Sequence, residues 1–438
     1  MNYINKIIYS LFTLFVLQIN GQELLTKQEV IEQALVHNFG IKVANNNVEV
    51  AKNNSSIYNS RFLPTITTNA GANYNKSNQD IVRQDGSGTS VSGAETKSYN
   101  ASVSLNYVLF DGLGRKYNYK QLKETQDLTE LQARETIENT YLQMFTVYFQ
   151  IAQLFESTKN LKEALEISKQ RLKRANYQYE YGQNTKLEVL NAEVDVNNDS
   201  INLINAQQQF ANAKRDLNLI IGGTSDNYIV DTEINFIQMF SLSELLQKAL
   251  ENNVVLRQNE KNILIGEYSV KANKATYLPT IGLTSSYGWN KNINPPTSFL
   301  AEISSNGLNA GLNLSWDLFD GGATKTRVAN AKIDLENHKI LKEQQEQTIE
   351  TNLTNAWEDY NNRLFIYRSQ EQNVLTATDN FSRTDERYKL GQVSSIEFRQ
   401  AQINLLNAQT NLNSAKFNAK LKELELLQLA GELLNVDF

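Results

Sequence analysis

Apolar and polar positions alternate along this chain with two different periods. Ala101, Val103, Leu105, Tyr107 and Leu109 are interleaved with Ser102, Ser104 and Asn106. Leu308, Ala310, Leu312, Leu314, Trp316 and Leu318 are interleaved with Asn309, Gly311, Asn313, Ser315 and Asp317. Ile281, Leu283, Tyr287 and Trp289 alternate with Gly282, Thr284, Ser286 and Gly288 in the same way. A period of two predicts β-strands with one apolar face. Each is about 9–11 residues long, the length that crosses a bilayer at a tilt. Tyr107, Tyr287, Trp289 and Trp316 near the strand ends fit membrane-interface girdles. Elsewhere the spacing is three and four. Leu203, Ala206, Phe210, Ala213, Leu217 and Ile220 form a seam with small residues, matched by Leu412, Ala415, Ala419, Lys422, Leu426 and Leu429. That spacing predicts coiled-coil helices.

These elements come in an order that is written twice. Helices are predicted at 27–37 and 41–61, the second ended by Leu63-Pro64, because the residue before proline is pushed out of the helical region. A β-hairpin follows at about 65–110. Asp111-Gly112 then opens a helix, aspartate being a good N-cap. This helix runs over 113–179, about 100 Å at 1.5 Å per residue. A turn at Gly182 leads into a helix over 184–221. The second copy has helices at 242–252 and 255–276, a hairpin at about 280–319, and helices at 323–388 and 393–431. Phe62-Leu63-Pro64-Thr65-Ile66 returns as Tyr277-Leu278-Pro279-Thr280-Ile281, 215 residues on. Leu109-Phe110-Asp111-Gly112 returns as Leu318-Phe319-Asp320-Gly321, 209 residues on, and that offset holds to Gly222 and Gly431. The chain thus divides into a first repeat (22–222), a linker (223–240), a second repeat (241–431) and a tail (432–438). In each repeat one long helix can pair along its length with the two shorter ones.

Composition supports long helices and export. Proline is present only 4 times and glycine 20 times in 438 residues, so long stretches lack turn punctuation. Residues 1–21 have a positive start at Lys6, an apolar run from Ile7 to Leu17 and Asn20-Gly21 before Gln22, which reads as a secretory leader. No later run of 18 apolar residues exists, so any membrane-spanning part must be a closed barrel. The chain has no cysteine, which excludes disulfides, thiolate metal sites, a cysteine nucleophile and lipid modification at cysteine. With a net charge of -6 and no basic patch, nothing suggests nucleic acid.

Catalytic chemistry is not legible. His37 and His338 stand on different helices without partner ligands. Gly112-Leu113-Gly114 and Gly321-Gly322 open helices but lack the rest of a nucleotide fingerprint. Asp111 and Asp320 read as caps, and Glu343 to Glu350 as a solvated face. The expectation is a non-enzyme with no cofactor and no metal. A periplasmic coiled-coil adaptor or scaffold is the alternative. An adaptor should carry one hairpin flanked by β-rich domains, and a scaffold would not need alternating strands with Trp and Tyr.

The most specific residues are Tyr388-Lys389-Leu390-Gly391 followed by Ser395-Ile396-Glu397-Phe398-Arg399-Gln400-Ala401-Gln402, and their counterpart from Tyr179 to Glu193. With the duplicated order and the Phe-Asp-Gly exits, this resembles the TolC-like outer-membrane efflux family over residues 23–431. The resemblance implies an α+β membrane protein in the outer membrane. It implies a homotrimer in which each subunit gives four strands to one twelve-stranded transmembrane β-barrel, continuous with a long α-helical coiled-coil periplasmic tunnel. It implies a passive conduit in a tripartite efflux or type I secretion system, with a periplasmic adaptor (membrane fusion protein) at the tunnel end and an inner-membrane pump reached indirectly. Outer-membrane lipid would surround the barrel. The family's gate places acids after the tip turn. Glu188 and Glu397 match the first position, whereas Asn191 and Gln400 occupy the second without charge. The turns would form the adaptor-docking tip: Tyr179, Gly182, Gln183 and Asn184, with Tyr388, Gly391, Gln392, Val393 and Ser394. With the chain ending at Phe438, any extra C-terminal belt is expected to be small.

Overall fold

The computed structural model describes residues 23–237 and 241–436; the leader read at 1–21 lies outside them. The element order is β1 (Glu23–Leu25), α1 (Lys27–His37), α2 (Phe39–Asn54), β2 (Thr65–Val82), β3 (Gly88–Asp111), α3 (Gly114–Glu180) and α4 (Lys186–Ile221). There follow β4 (Tyr228–Val230), α5 (Leu242–Asn252), α6 (Val254–Ala275), β5 (Thr280–Ile293), β6 (Glu302–Ser315), α7 (Ala323–Lys389) and α8 (Ser395–Leu429). The fold is α+β, and α3 and α7 are each 67 residues long. Among the described residues no helix is long and apolar enough to cross a membrane.

The chain forms two compact units. The first takes the described parts of Met1–Asn46, Gln132–Arg257 and Gln345–Phe438. Its core gathers Met144, Phe145, Tyr148, Phe149 and Ile151 of α3 with Leu217 and Ile221 of α4, Phe417 and Leu424 of α8, and Val30 and Ala34 of α1. Phe149 lies 5.8 Å from Phe145 and 6.0 Å from Phe417 between ring centroids. α1 and α5 begin where the sequence predicts, because Thr26 with Glu29 and Ser241 with Glu244 form reciprocal caps that satisfy orphan N–H groups. The helix ends meet in matching ways. A Cβ at Gly222 would lie 2.6 Å from His37 Cβ, and one at Gly431 2.5 Å from the Asn252 backbone. Asn38 donates to the Ile220 carbonyl and Asn253 to that of Leu429, both at 3.0 Å.

The stretch read as a linker carries β4, which pairs in parallel with β1 from Glu23↔Tyr228 to Leu25↔Val230. The Tyr148 hydroxyl donates to the Leu25 carbonyl and accepts from the Asp231 amide, both at 3.0 Å. Lys420 bonds the Asn235 carbonyl at 2.8 Å and Glu423 at 2.7 Å, and Tyr360 reaches Glu423 at 3.1 Å. Residues 228–237 are therefore fixed to buried polar groups rather than running free.

The second unit takes Asn47–Leu131 and Gln258–Gln344 and holds an antiparallel sheet in the order β2-β3-β5-β6. Three details differ from the sequence reading. The strands are longer, at 18, 24, 14 and 14 residues. Polar cross-strand pairs extend the ladders past the apolar stretch, such as Lys291 with Glu302 at 2.7 Å and Asn306 with the Tyr287 hydroxyl at 3.1 Å. β3 meets β5 only as far as Lys97↔Ile293, so its start pairs with β2 alone as a two-stranded ribbon. Second, the alternation in β3 breaks at a bulge between Val108 and Phe110, which takes Leu109 out of register with Leu105 and Tyr107. Third, α2 ends at Asn54, well before Leu63-Pro64. Ser55 there bonds the Lys52 carbonyl at 3.0 Å and Ser56 accepts from the Tyr58 amide at 3.2 Å. Such local bonds compete with the helix.

Candidate functional site: the helical turns and the polar cluster behind them

Each long helix reverses through a glycine in the left-handed region. Gly182 has φ +68° and Gly391 φ +74°. The Gly182 amide donates to the Tyr179 carbonyl at 3.0 Å and the Gln183 amide to that of Gln178 at 2.7 Å. The second turn repeats this, from Gly391 to Tyr388 at 3.0 Å and from Gln392 to Arg387 at 2.9 Å. This closure satisfies the last helical carbonyls and favours glycine. A Cβ at either glycine would meet nothing within 4 Å, so backbone conformation alone selects the residue.

The predicted tip residues separate into two groups. Tyr179, Gly182, Gln183, Gly391, Gln392 and Ser394 are exposed, and Asn184 and Val393 are half-buried. Tyr388 is committed to packing. Its ring stacks on Phe398 at 4.5 Å, the Arg174 guanidinium lies 4.8 Å from its centroid, and Arg174 also donates to the Lys389 carbonyl at 3.0 Å. Arg171, Arg174, Phe381, Tyr388 and Phe398 line a recess of about 300 Å³ there.

The gate candidates differ between the two turns. Glu397 is exposed and closes a capping box, accepting from the Ser394 amide at 2.8 Å and hydroxyl at 2.9 Å. Those bonds, the backbone one first, hold its carboxyl below the usual carboxylate range. Glu188 sits at the same place on α4, but Thr185 makes no side-chain cap bond. Its Oε2 is buried without a hydrogen-bond partner. Gln400 bonds Asn404 at 2.8 Å, and Asn191 is exposed.

Behind the turns lies a buried polar cluster that sequence reasoning missed. Arg399 of α8 forks onto Asp199 of α4 through two contacts of 2.8 Å. It also reaches Ser168 at 3.2 Å and Gln402 at 3.1 Å. Ser168 donates to Asp199 at 2.6 Å, Arg171 pairs with Asp195, and Gln402 donates to the Ala164 carbonyl at 2.8 Å. Bidentate guanidinium–carboxylate bonds of this kind are strong and directional. They join the first helical hairpin to the second. A signal was present where the 209-residue sequence repeat breaks: Asp195 and Asp199 fall opposite Asn404 and Ala408, and Arg399 opposite Leu190.

The sequence pattern of outer membrane efflux proteins matches residues 30–223 and 245–432. The chain belongs to the outer membrane efflux protein family. Its relatives include the outer membrane efflux protein BepC of Brucella suis, 22% identical over 90% of this chain and 81% of that protein. The outer membrane protein TolC of Escherichia coli is 20% identical over 92% of this chain and 82% of its own length. Among solved structures, the CmeC outer membrane channel of Campylobacter jejuni superposes with a TM-score of 0.77 at 17% identity, covering 93% of this chain and 85% of that one. CusC gives a TM-score of 0.76 at 16% identity, covering 95% of each chain. At these identities the superpositions establish a shared fold. The family places the chain in the outer membrane, in efflux.

Proposed function

We propose that this efflux protein works as a homotrimeric, passive conduit, each copy giving four strands to a twelve-stranded barrel and its long helices to a periplasmic tunnel. The observation that carries this reading is the four-stranded sheet with two open edges, β2 and β6. Unpaired edges are not tolerated in lipid, and four strands cannot close alone. Tyr107 pairs with Leu283, six residues from Trp289 on β5, so the two aromatics stand about 20 Å apart at 3.4 Å per residue. Ser315 pairs with Thr280, so Trp316 stands beyond Tyr107 and about ten residues from Trp289, roughly 34 Å along the strand. At a tilt of about 40° this is about 25 Å along the normal, which suits two interfacial girdles with outer-membrane lipid between them. Tyr287 lies on the Trp289 side and Tyr107 on the Trp316 side. Native mass spectrometry in mild detergent should give three subunits. A monomer soluble without detergent would overturn the reading.

The chain reads as two fused copies of one unit, 22–222 and 241–431. The matching contacts at Gly222 and Gly431, and at Asn38 and Asn253, support the duplication. The turn residues Gln183, Gln392 and Ser394, exposed, with half-buried Asn184 and Val393, form the docking tip for a periplasmic adaptor, which links the conduit to an inner-membrane pump. Bulky charged replacements at Gln183 and Gln392 should leave the trimer in the membrane and abolish efflux and adaptor cross-linking; retained efflux would remove the tip assignment. Glu188 and Glu397 line the narrow end of the pore, where acidic rings favour cations. Glu188→Ala with Glu397→Ala should weaken cation preference in single-channel recordings.

A further inference from the structure

The recess behind the second turn has walls of two kinds. Phe381, Tyr388 and Phe398 give it an aromatic side, with Tyr388 on Phe398 at 4.5 Å and Phe381 at 5.6 Å from Phe398. Arg171 and Arg174 of α3 give it a cationic side. Asp385 and Lys389 also border it, and its volume is about 300 Å³. The charges around it do not cancel. Arg171 pairs with Asp195, Arg399 with Asp199 at 2.8 Å and Lys389 with Asp385 at 2.6 Å. Arg174 meets a carbonyl, that of Lys389 at 3.0 Å, and the Tyr388 ring at 4.8 Å. No carboxylate pairs with it among the described residues.

A second donor is also left over. Arg171 is 4% exposed, and its Nε–H is buried with no acceptor. A buried donor without a partner costs stability, so both arginines offer hydrogen bonds that the protein does not take up. A guanidinium fork matches a carboxylate bidentately, and aromatic rings favour another ring stacked or edge-on. The volume is at the small end of the range for ligand sites. We propose that this recess binds small planar aromatic carboxylates. Arg174 takes the carboxylate, and Phe381, Tyr388 and Phe398 enclose the ring. A neutral aromatic would leave Arg174 unpaired, and a carboxylate without a ring would leave the aromatic side uncovered. Asp385 works against an anion, but Lys389 offsets it. Arg174 belongs to the first helical hairpin and the three rings to the second, so the bound molecule bridges the two. The site is complete within one chain and needs neither the trimer nor an adaptor.

Equilibrium dialysis of 2-naphthoate against the full-length protein in mild detergent, with protein-free micelles as the reference, tests the site. Saturable binding, one molecule per chain, is expected. 2-Naphthamide has the same shape without the charge and should bind about tenfold more weakly, the loss of one charge-assisted hydrogen bond. Arg174→Gln should weaken naphthoate by about the same factor and leave the amide unchanged. The amide therefore reports whether the recess survives the substitution. Asp385→Asn moves the other way: it frees Lys389 and should tighten naphthoate by about threefold. Phe381→Ala should weaken both ligands. Uptake that does not saturate, or equal affinity for acid and amide, overturns the site. So does a naphthoate affinity that ignores Arg174→Gln. If Arg174→Gln loses the amide as well, Asp385→Asn decides, and an unchanged naphthoate affinity there overturns the site.

Discussion

The helical unit and the sheet unit are stabilised in opposite ways. The helical unit encloses stacked aromatics around Phe145, Phe149 and Phe417 and a second cluster around Leu245, Leu353 and Leu426. The described hydrophobic clusters all fall within it. The sheet unit leaves Val103, Leu308, Leu312 and Leu314 exposed, and its contacts are mainly the ladders themselves. One unit carries its own core; the other leaves apolar surface exposed, which on the trimeric conduit proposed above would be covered by lipid and by other copies. Folding and assembly should therefore respond to different residues.

The largest separation is expected between two apolar truncations. Phe149→Ala removes a ring that is 1% exposed and should destabilise the chain by about 3–5 kcal/mol, read by denaturant unfolding in detergent. Leu312→Ala should change that unfolding by no more than about 0.5 kcal/mol, yet reduce the trimer recovered from membranes. Equal effects on chain stability would collapse the contrast. Gly112→Ala and Gly321→Ala sharpen it inside the sheet unit. Both pay about 1–2 kcal/mol for a side chain in the left-handed region. Only Gly112→Ala, where a Cβ would lie 2.3 Å from the Ala275 carbonyl oxygen, adds overpacking within the chain, about 1–3 kcal/mol more. A Cβ at Gly321 would meet nothing within 4 Å; equal losses in denaturant unfolding would remove the distinction. The smallest effect is a pH slope in the helical unit. Burial pushes the Glu138 carboxyl up, against the hydrogen bond from Arg134. A raised acid contributes stability below its unfolded value of 4.5 that is lost as pH rises through the raised value. Glu138→Gln should flatten that fall in a stability-against-pH series; an unchanged slope would clear Glu138 of it.

The helical unit was the more legible of the two in sequence, for local reasons. α1 and α5 announce themselves through Thr26 with Glu29 and Ser241 with Glu244, three residues apart. The two turns do so through Gly182 and Gly391 in a shared Tyr-x-x-Gly frame. The strands were found, but their ends were not, because Lys291 with Glu302 continues a ladder without any apolar alternation. The early stop of α2 was hidden because Leu63-Pro64 offered a stronger break than Ser55-Ser56. The polar cluster escaped because its members are far apart along the chain. Asp199 and Arg399 are 200 residues apart, and each alone looks like a solvated helix charge. Only the break in the 209-residue sequence repeat marks them, since Asp199 and Arg399 each fall opposite an uncharged residue, Ala408 and Leu190.

The ribbon at the start of β3 has one more consequence. Its tip closes on itself, with the Arg83 amide on the Ser87 carbonyl at 2.8 Å and the Ser87 amide on Asp85 at 2.9 Å. Past the bond from Thr297 to Gln79 at 3.1 Å, the strands there bond only each other among the described residues. Spelling at this tip is insulated from the rest of the molecule, so a lineage can rewrite it, or splice in a foreign peptide, without disturbing how the remainder folds.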